Sequence, residues 1–404
     1  MSRTLSLVAT LCAAQVAGMT GFAAFPALVP TFQAEWGLSN TEAGWISGIY
    51  YAGYLSGVPV LVSLTDRVDP RRIYLISMAL TGLVTLGFAL FAEGFWTALA
   101  FRALAGVGLA GTYMPGLKAL SDRIEGPRQS RALAFYTASF GIGASLSYLL
   151  AGEIEGRLGW QWAFGLASLG PCAAMLLVPM ALGPRRPPAH AIPTTHLLDF
   201  RPVLARPMAM AYILAYSAHN WELFCLRSWI VVFFVFAQSQ QPDGGAGWLG
   251  PAALAAIVTL IGVPSSIIGN ELAVRFGRRR MVIAIMTASA LMACVTGFAA
   301  TWPFAVLFAL MLVYGVLVTA DSASITAGAV ANAPPGYRGA TMALHACIGF
   351  MGAFLGPLAV GVVLDLSGGG ATAVSWGLAF ICFGLGVAMG PLALSILGRR
   401  HPRK

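Results

Sequence analysis

The sequence predicts an all-α integral membrane protein, with twelve transmembrane helices arranged as two pseudo-symmetric six-helix bundles. Three observations predict it. Only 10% of the 404 residues are charged while 58% are hydrophobic, and the mean hydropathy is +0.78. A soluble chain carries about 25% charged residues, so this one cannot cover itself against water and its solvent is lipid. Twelve apolar runs reach the length of about 20 residues that a helix needs to cross a hydrocarbon core of about 30 Å. The runs fall six and six around the longest connection, GPRRPPAHAIPTTHLLDFRPVLARP at 183–207. They are continuous rather than alternating, which favours helices over a transmembrane barrel.

The first run, 5–32, follows Arg3 and far exceeds the h-region of about 7–15 residues in a secretory signal, so it reads as an uncleaved first span. The second and third, 43–64 and 73–92, flank a short connection rich in charge. The fourth, 95–120, carries Arg102 seven residues in, and the fifth and sixth, 132–152 and 160–182, complete the first half. After the linker come 208–237, the most polar of the twelve, then 247–270, 281–300, 303–328, 339–364 and 372–397. The expected organisation is an N-terminal bundle over 1–182, a cytoplasmic linker over 183–207 and a C-terminal bundle over 208–404. Weak internal similarity supports the division. Gly44-Trp45 recurs as Gly247-Trp248, Gly57-Val58-Pro59 as Gly262-Val263-Pro264, and Pro127-x-x-x-Arg131 as Pro334-x-x-x-Arg338. Repeated bundles flanking a central cavity are a transporter architecture.

Twenty Lys and Arg residues fall on one side of this arrangement, and the other side holds only Arg157 beside seven acids. By the positive-inside rule both termini are cytoplasmic, and the expected location is the inner membrane of a bacterium. The net charge of +9 is thereby a topology signal. No basic stripe interleaved with aromatics is present, which sets a nucleic-acid partner aside. The six cysteines stand singly inside apolar runs and read as small hydrophobes, with no metal-ligand spacing and no cofactor motif.

The connection between the second and third spans reads Val62-Ser63-Leu64-Thr65-Asp66-Arg67-Val68-Asp69-Pro70-Arg71-Arg72. A second copy at the equivalent place in the other half reads Asn270-Glu271-Leu272-Ala273-Val274-Arg275-Phe276-Gly277-Arg278-Arg279-Arg280. With Arg102-x-x-x-Gly106-x-Gly108-x-Ala110 in the fourth span, the chain resembles the major facilitator superfamily over essentially its whole length. The first copy has Val62 and Asp69 where that family has glycine, and the second keeps Gly277 but lacks the aspartate. The Gly-Pro of the family's drug and proton antiporters is absent from Ala138–Gly143 in the fifth span, and a similar Gly352-x-x-x-Gly356-Pro357 stands in the eleventh. The resemblance implies a cavity lined by helices one, four, seven and ten. The clustering of Asp66, Arg67, Arg71, Arg275 and Arg278 between bundle helices predicts a cytoplasmic charge network, a gate that holds the outward-open state.

An ionisable side chain at bilayer depth costs several kcal/mol and is a functional hypothesis by default. The densest group is His219-Asn220-Trp221-Glu222-Leu223-Phe224-Cys225-Leu226-Arg227. His219 and Glu222 are three apart and able to touch, while Asn220 and Arg227 share a helix face. Glu222, His219 and Asp321 in the tenth span are expected to couple protons. Arg227, Asn220, Arg102 and Gln15 are expected to contact substrate, because guanidinium offers planar paired donors to an anion. The alternatives stay open: Glu222 neutralised by Arg227, Arg102 bonded to polar groups of the first helix with Gln15 available, and Asp321 paired with an arginine such as Arg338.

The leading function is secondary transport by alternating access of a small organic anion with protons, by a monomer in the bilayer. A proton-coupled drug or metabolite efflux antiporter and a sugar permease of the same fold are the alternatives. No P-loop GxxxxGK[ST] is present, so energy is expected from a gradient. A membrane-embedded enzyme lacks its motifs, with neither HExxH nor GxSxG in the chain. A sensor would carry an appended domain, for which the linker and tails leave no room.

Overall fold

A computed structural model describes residues 3–65, 67–124, 127–184, 199–244 and 247–398. Among the described residues every regular element is helical, and eleven helical stretches are long and apolar enough to cross a membrane. The chain is a multi-pass membrane protein. The described residues fall into two compact units. One takes those within 1–38, 49–192 and 250–260, and the other those within 39–48, 193–249 and 261–404.

In the first unit the expected continuous first span is broken. It runs as α1 (Arg3–Gly18), a turn over residues 19–23, α2 (Ala24–Ala27) and α3 (Val29–Trp36). The cause is local: Gly18 ends α1, Gly21 lies within the turn, and Pro26 and Pro30 each lack an N–H for the helical ladder. Freed backbone groups in a bilayer need partners, and other helices of the unit supply them. Ser147 Oγ donates to the Thr20 carbonyl at 2.6 Å and accepts the Ala23 N–H at 2.9 Å. Thr20 Oγ1 donates to the Ala167 carbonyl at 2.6 Å.

The remaining helices of this half are α4 (Asn40–Leu64), α5 (Pro70–Phe91), α6 (Phe95–Ala110), α7 (Tyr113–Ser121), α8 (Pro127–Leu158), α9 (Trp160–Ala167) and α10 (Leu169–Ala181). Only the first nine residues of α4 cluster with the second unit. Asp69 starts α5 by accepting the Arg71 N–H at 3.0 Å, the behaviour of an N-cap side chain. The fourth span is interrupted at Gly111–Thr112, between α6 and α7. Gly106 is required by packing: a Cβ there would overlap the Tyr50 carbonyl, so its absence lets α6 lie directly on α4.

The second unit holds α11 (Arg201–Leu204), α12 (Pro207–Ser239), most of α13 (Pro251–Phe276), α14 (Arg278–Phe298), α15 (Phe304–Ala320), α16 (Ser322–Ala331), α17 (Arg338–Leu366) and α18 (Ala373–Leu397). The eighth span begins at Pro251 rather than at Gly247, because Gly247 sits at φ +85° outside the helix and proline favours a first helical turn. The tenth span breaks at Asp321, which joins α15 to α16. The long helix α12 packs along α17 and α18. Gly352 permits this, since a Cβ there would overlap the Ser217 carbonyl.

Candidate functional site

Within the second unit the structure gathers a buried polar cluster around the middle of α12. His219, Glu222, Asp321 and His345 are each at most 2% exposed. His219 Nδ1 lies 2.8 Å from Asp321 Oδ1, in ion-pair range, while both atoms lack an aligned hydrogen bond. Glu222 Oε1 accepts two hydroxyl donors, Ser289 Oγ at 2.9 Å and Tyr314 OH at 3.0 Å. Asp321 lies within electrostatic reach of Glu222, and His345 within reach of His219.

This corrects the expected contact between His219 and Glu222. Spacing of three puts their Cα atoms on neighbouring faces, yet each side chain finds partners on other helices, α14 and α15 for Glu222 and the α15–α16 break for His219. The partner of Asp321 is His219 rather than Arg338, and the described partners of Glu222 are hydroxyls rather than Arg227. Four partners escaped the sequence reading: Ser289, Tyr314, Tyr216 and Thr326. Tyr314 had a usable signal, because it precedes Asp321 by seven residues and so shares its helix face.

The Tyr216 ring stacks on that of His345, with centroids 3.9 Å apart and planes 12° from parallel. Thr326 Oγ1 lies 3.3 Å from His345 Nε2. On the same helix, Asn220 is buried with its Nδ2 lacking an acceptor, and the half-buried Arg227 holds its guanidinium 5.4 Å from the Phe224 ring centroid. Chemically, an imidazole and a carboxylate at this distance can share a proton across the contact. With both hydroxyls donating to Oε1, a proton on Glu222 belongs on Oε2, where it leaves the two donors in place.

In the first unit Arg102 is 3% exposed. Its Nη1 and Nη2 donate to the Phe22 carbonyl in the broken first span at 3.4 and 3.5 Å, and its guanidinium carbon lies 4.3 Å from the Tyr50 ring centroid. Nε has no partner. Arg102 therefore bonds to the first span through a backbone carbonyl, and Gln15 is engaged elsewhere, its Oε1 accepting the Tyr136 hydroxyl at 2.7 Å. Gln15, Phe22, Tyr50, Thr81, Thr85 and Thr112 are among the residues lining a cavity of about 20 Å³, room for one water molecule.

Of the expected gate residues, Asp66 lies outside the described residues. Arg67 and Arg275 are exposed, and Arg275 lies over the Phe276 ring at 5.3 Å. Arg71 and Arg278 each have a buried Nε without a partner. No group of three or more His, Cys, Asp or Glu side chains is placed to hold a metal among the described residues.

The profile of the Major Facilitator Superfamily matches residues 10–241. The 3-(3-hydroxy-phenyl)propionate transporter of Escherichia coli (strain K12) is 31% identical, over 52% of this chain and 52% of that protein. The niacin transporter NiaP of Acinetobacter baylyi is 27% identical, over 37% of this chain and 34% of its own length. A probable sphingolipid transporter, spinster homolog 1 of Arabidopsis thaliana, is 26% identical, over 36% of this chain and 29% of that protein. These matches span about half or less of the curated relatives. A solved bacterial homolog of the human lysosomal transporter Spinster, in an inward-facing and occupied conformation, superposes with a TM-score of 0.77. It covers 98% of this chain and 96% of its own at 16% identity, a likeness of fold alone. With more than half of its length matched by that profile, and an all-helical fold of transporter type, the chain belongs to the Major Facilitator Superfamily.

Proposed function

We propose that this chain is a secondary transporter that moves a small organic anion together with protons by alternating access. It would act as a monomer in a bacterial inner membrane, with both termini cytoplasmic. The observation that carries the proton coupling is the His219–Asp321 pair at 2.8 Å, buried beside Glu222 in a helical unit. Groups that ionise are expensive at that depth and are retained where they move protons or bind charge. The anion is supported by Arg102, buried in the first unit against a carbonyl and an aromatic ring. An arginine stays protonated even when buried, so an anion docking there would offset its desolvation. Two bacterial relatives are named for carboxylic acids, in keeping with that charge.

The roles follow from placement. Asp321, at the break between α15 and α16, would exchange its proton with His219 as the break bends, and Glu222 would hold its proton on Oε2 while Oε1 keeps the Ser289 and Tyr314 hydroxyls. Arg227 and Asn220 would contact substrate from α12, with Arg102 and Gln15 contributing from the first unit. Asp66, Arg67, Arg71, Arg275 and Arg278 would form the cytoplasmic charge network. The test is uptake of radiolabelled carboxylates by proteoliposomes with and without an imposed pH gradient, in the wild type and in Asp321→Asn and Glu222→Gln. The expected result is accumulation driven by the gradient in the wild type. Both variants should lose it and keep downhill counterflow, because the amide mimics the protonated acid. Accumulation that ignores the gradient, or that survives both substitutions, overturns the coupling.

A further inference from the structure

We propose that the substrate is an aromatic carboxylate, held along one face of α12 with its carboxylate on Arg227, its ring against Phe224 and Phe350, and a polar ring substituent on Asn220. This inference rests on the anion reading above and narrows it to one class.

On a helix that turns about 100° per residue, Tyr216, Asn220, Phe224 and Arg227 fall within about 80° of one another. They form a stripe, and α17 packs alongside and adds Phe350. The aromatic contacts along it are continuous. Tyr216 meets Phe350 edge-on with centroids 6.4 Å apart, Phe350 meets Phe224 at 5.9 Å, and the Arg227 guanidinium lies 5.4 Å from the Phe224 centroid. Tyr216, Phe350 and Arg227 are each half-buried while Asn220 and Phe224 are buried, so the stripe has an inner row and an accessible rim.

Three features of the stripe select the ligand. Arg227 supplies a permanent cation with planar paired donors, which suits a carboxylate better than a hydroxyl. Phe224 and Phe350 present ring faces and edges at the spacing at which a third aromatic ring gains from offset or edge contact. Asn220 is 2% exposed and its Nδ2 has no acceptor. A buried donor left unpaired is costly, so a ligand oxygen or ring nitrogen that reaches it relieves that cost. Gly349 of α17 preserves this corner: a Cβ there would overlap the Tyr216 ring and come to 3.1 Å from Asn220 Nδ2. Asn220 and Arg227 are seven residues apart, about 10 Å along the axis, which matches an arylalkanoate with a polar group at the far side of its ring. The stripe has too few donors and acceptors for the many hydroxyls of a sugar.

The experiment uses the full chain in detergent and in proteoliposomes, with 3-phenylpropionate, 3-(4-hydroxyphenyl)propionate, 3-cyclohexylpropionate and 3-phenylpropanamide as probes. Binding is read by quenching of tryptophan fluorescence, Trp221 and Trp229 being on the same helix, and transport by competition against labelled 3-phenylpropionate. The phenyl acid should bind roughly tenfold more tightly than its cyclohexyl counterpart, which has the same charge and nearly the same bulk. The neutral amide should not compete. The hydroxyl should improve binding in the wild type and not in Asn220→Leu. Phe224→Leu and Phe350→Leu should each bring the phenyl-to-cyclohexyl ratio towards one, because the phenyl acid loses the ring–ring contact as well as the apolar contact that both acids lose. Folding of the variants is checked by size exclusion, and the wild-type series needs no variant. Equal affinity for the two acids overturns the aromatic class while leaving the anion reading intact. Binding of none of the acids overturns the anion reading and this inference with it. A wild-type ratio that neither phenylalanine variant alters overturns the assignment to this face.

Discussion

Ser147 holds both sides of the break in the first span, donating to the Thr20 carbonyl and accepting the Ala23 N–H. Removing the hydroxyl strands two backbone groups, and a buried unsatisfied group costs about 1–3 kcal/mol. Ser147→Ala is therefore expected to lower the stability of the protein by about 2 kcal/mol or more, measured as the midpoint of thermal unfolding in detergent. An unchanged midpoint would mean that water fills the place. The same scale shows how much of the site the sequence carried. Arg102, His219, Glu222 and Asp321 stood out because ionisable groups are rare in apolar runs. Their partners did not stand out, because a hydroxyl such as Ser289 or Tyr314 is common in a membrane helix, and its relevance to Glu222 depends on depth and helix phase. Spacing along one helix suggested His219 with Glu222, but partners from other helices displaced that local choice. Phe22 left no signal at all, since Arg102 bonds to its carbonyl and any residue has one.

At the scale of elements, one helix caps another. Asp365, near the end of α17, accepts the N–H and Nδ2 of Asn40 through Oδ1 at 3.1 and 2.8 Å. Its Oδ2 accepts the Thr41 N–H at 2.8 Å and the Thr41 hydroxyl at 2.5 Å. The first turn of α4 leaves N–H groups without helical partners and carries the positive end of the helix dipole, so a carboxylate there is favoured twice over. Asp365→Ala is expected to cost about 1–2 kcal/mol and to speed amide hydrogen exchange at residues 40–42. Asp365→Asn should cost less, since it keeps half of the acceptors. Unaltered exchange at residues 40–42 in the alanine variant would show that water caps the helix instead. The acid was legible only as one of the few charges outside the basic side. Its partners lie 325 residues away, and no local pattern links them. The spans themselves were legible to within a few residues because length and hydropathy fix them. The breaks at residues 19–23, at Gly111–Thr112 and at Asp321 were not: Gly18, Gly21, Pro26 and Pro30 mark a weak point in the first span, but such residues also occur inside unbroken helices, as Pro59 and Pro264 do.

At the scale of the molecule, fold class and family were readable because a bilayer permits few architectures and the duplicated basic connection is specific in its placement. The sidedness that the same charges predict can be tested whole. Twenty Lys and Arg residues fall in the terminal, linker and alternate connecting segments, and only Arg157 falls in the others. Cytoplasmic retention of short basic loops sets the orientation of a multi-pass chain, while acids contribute little to it. One basic residue against twenty leaves the bias intact, whatever Arg157 pairs with. Green fluorescent protein folds to its fluorescent form in the cytoplasm, and alkaline phosphatase is active only after export. Fusions at the C-terminus and within the 183–207 linker should therefore fluoresce, and phosphatase fused after Glu93 or after Gly159 should be active. Neutralising Arg67, Arg71 and Arg72 together removes three positive charges from one short connection, and the fraction of chains with active phosphatase fused at that connection should rise from near zero. Phosphatase activity at the linker of the unaltered chain, with fluorescence after Glu93, would invert the assignment and move the basic clusters to the outer face.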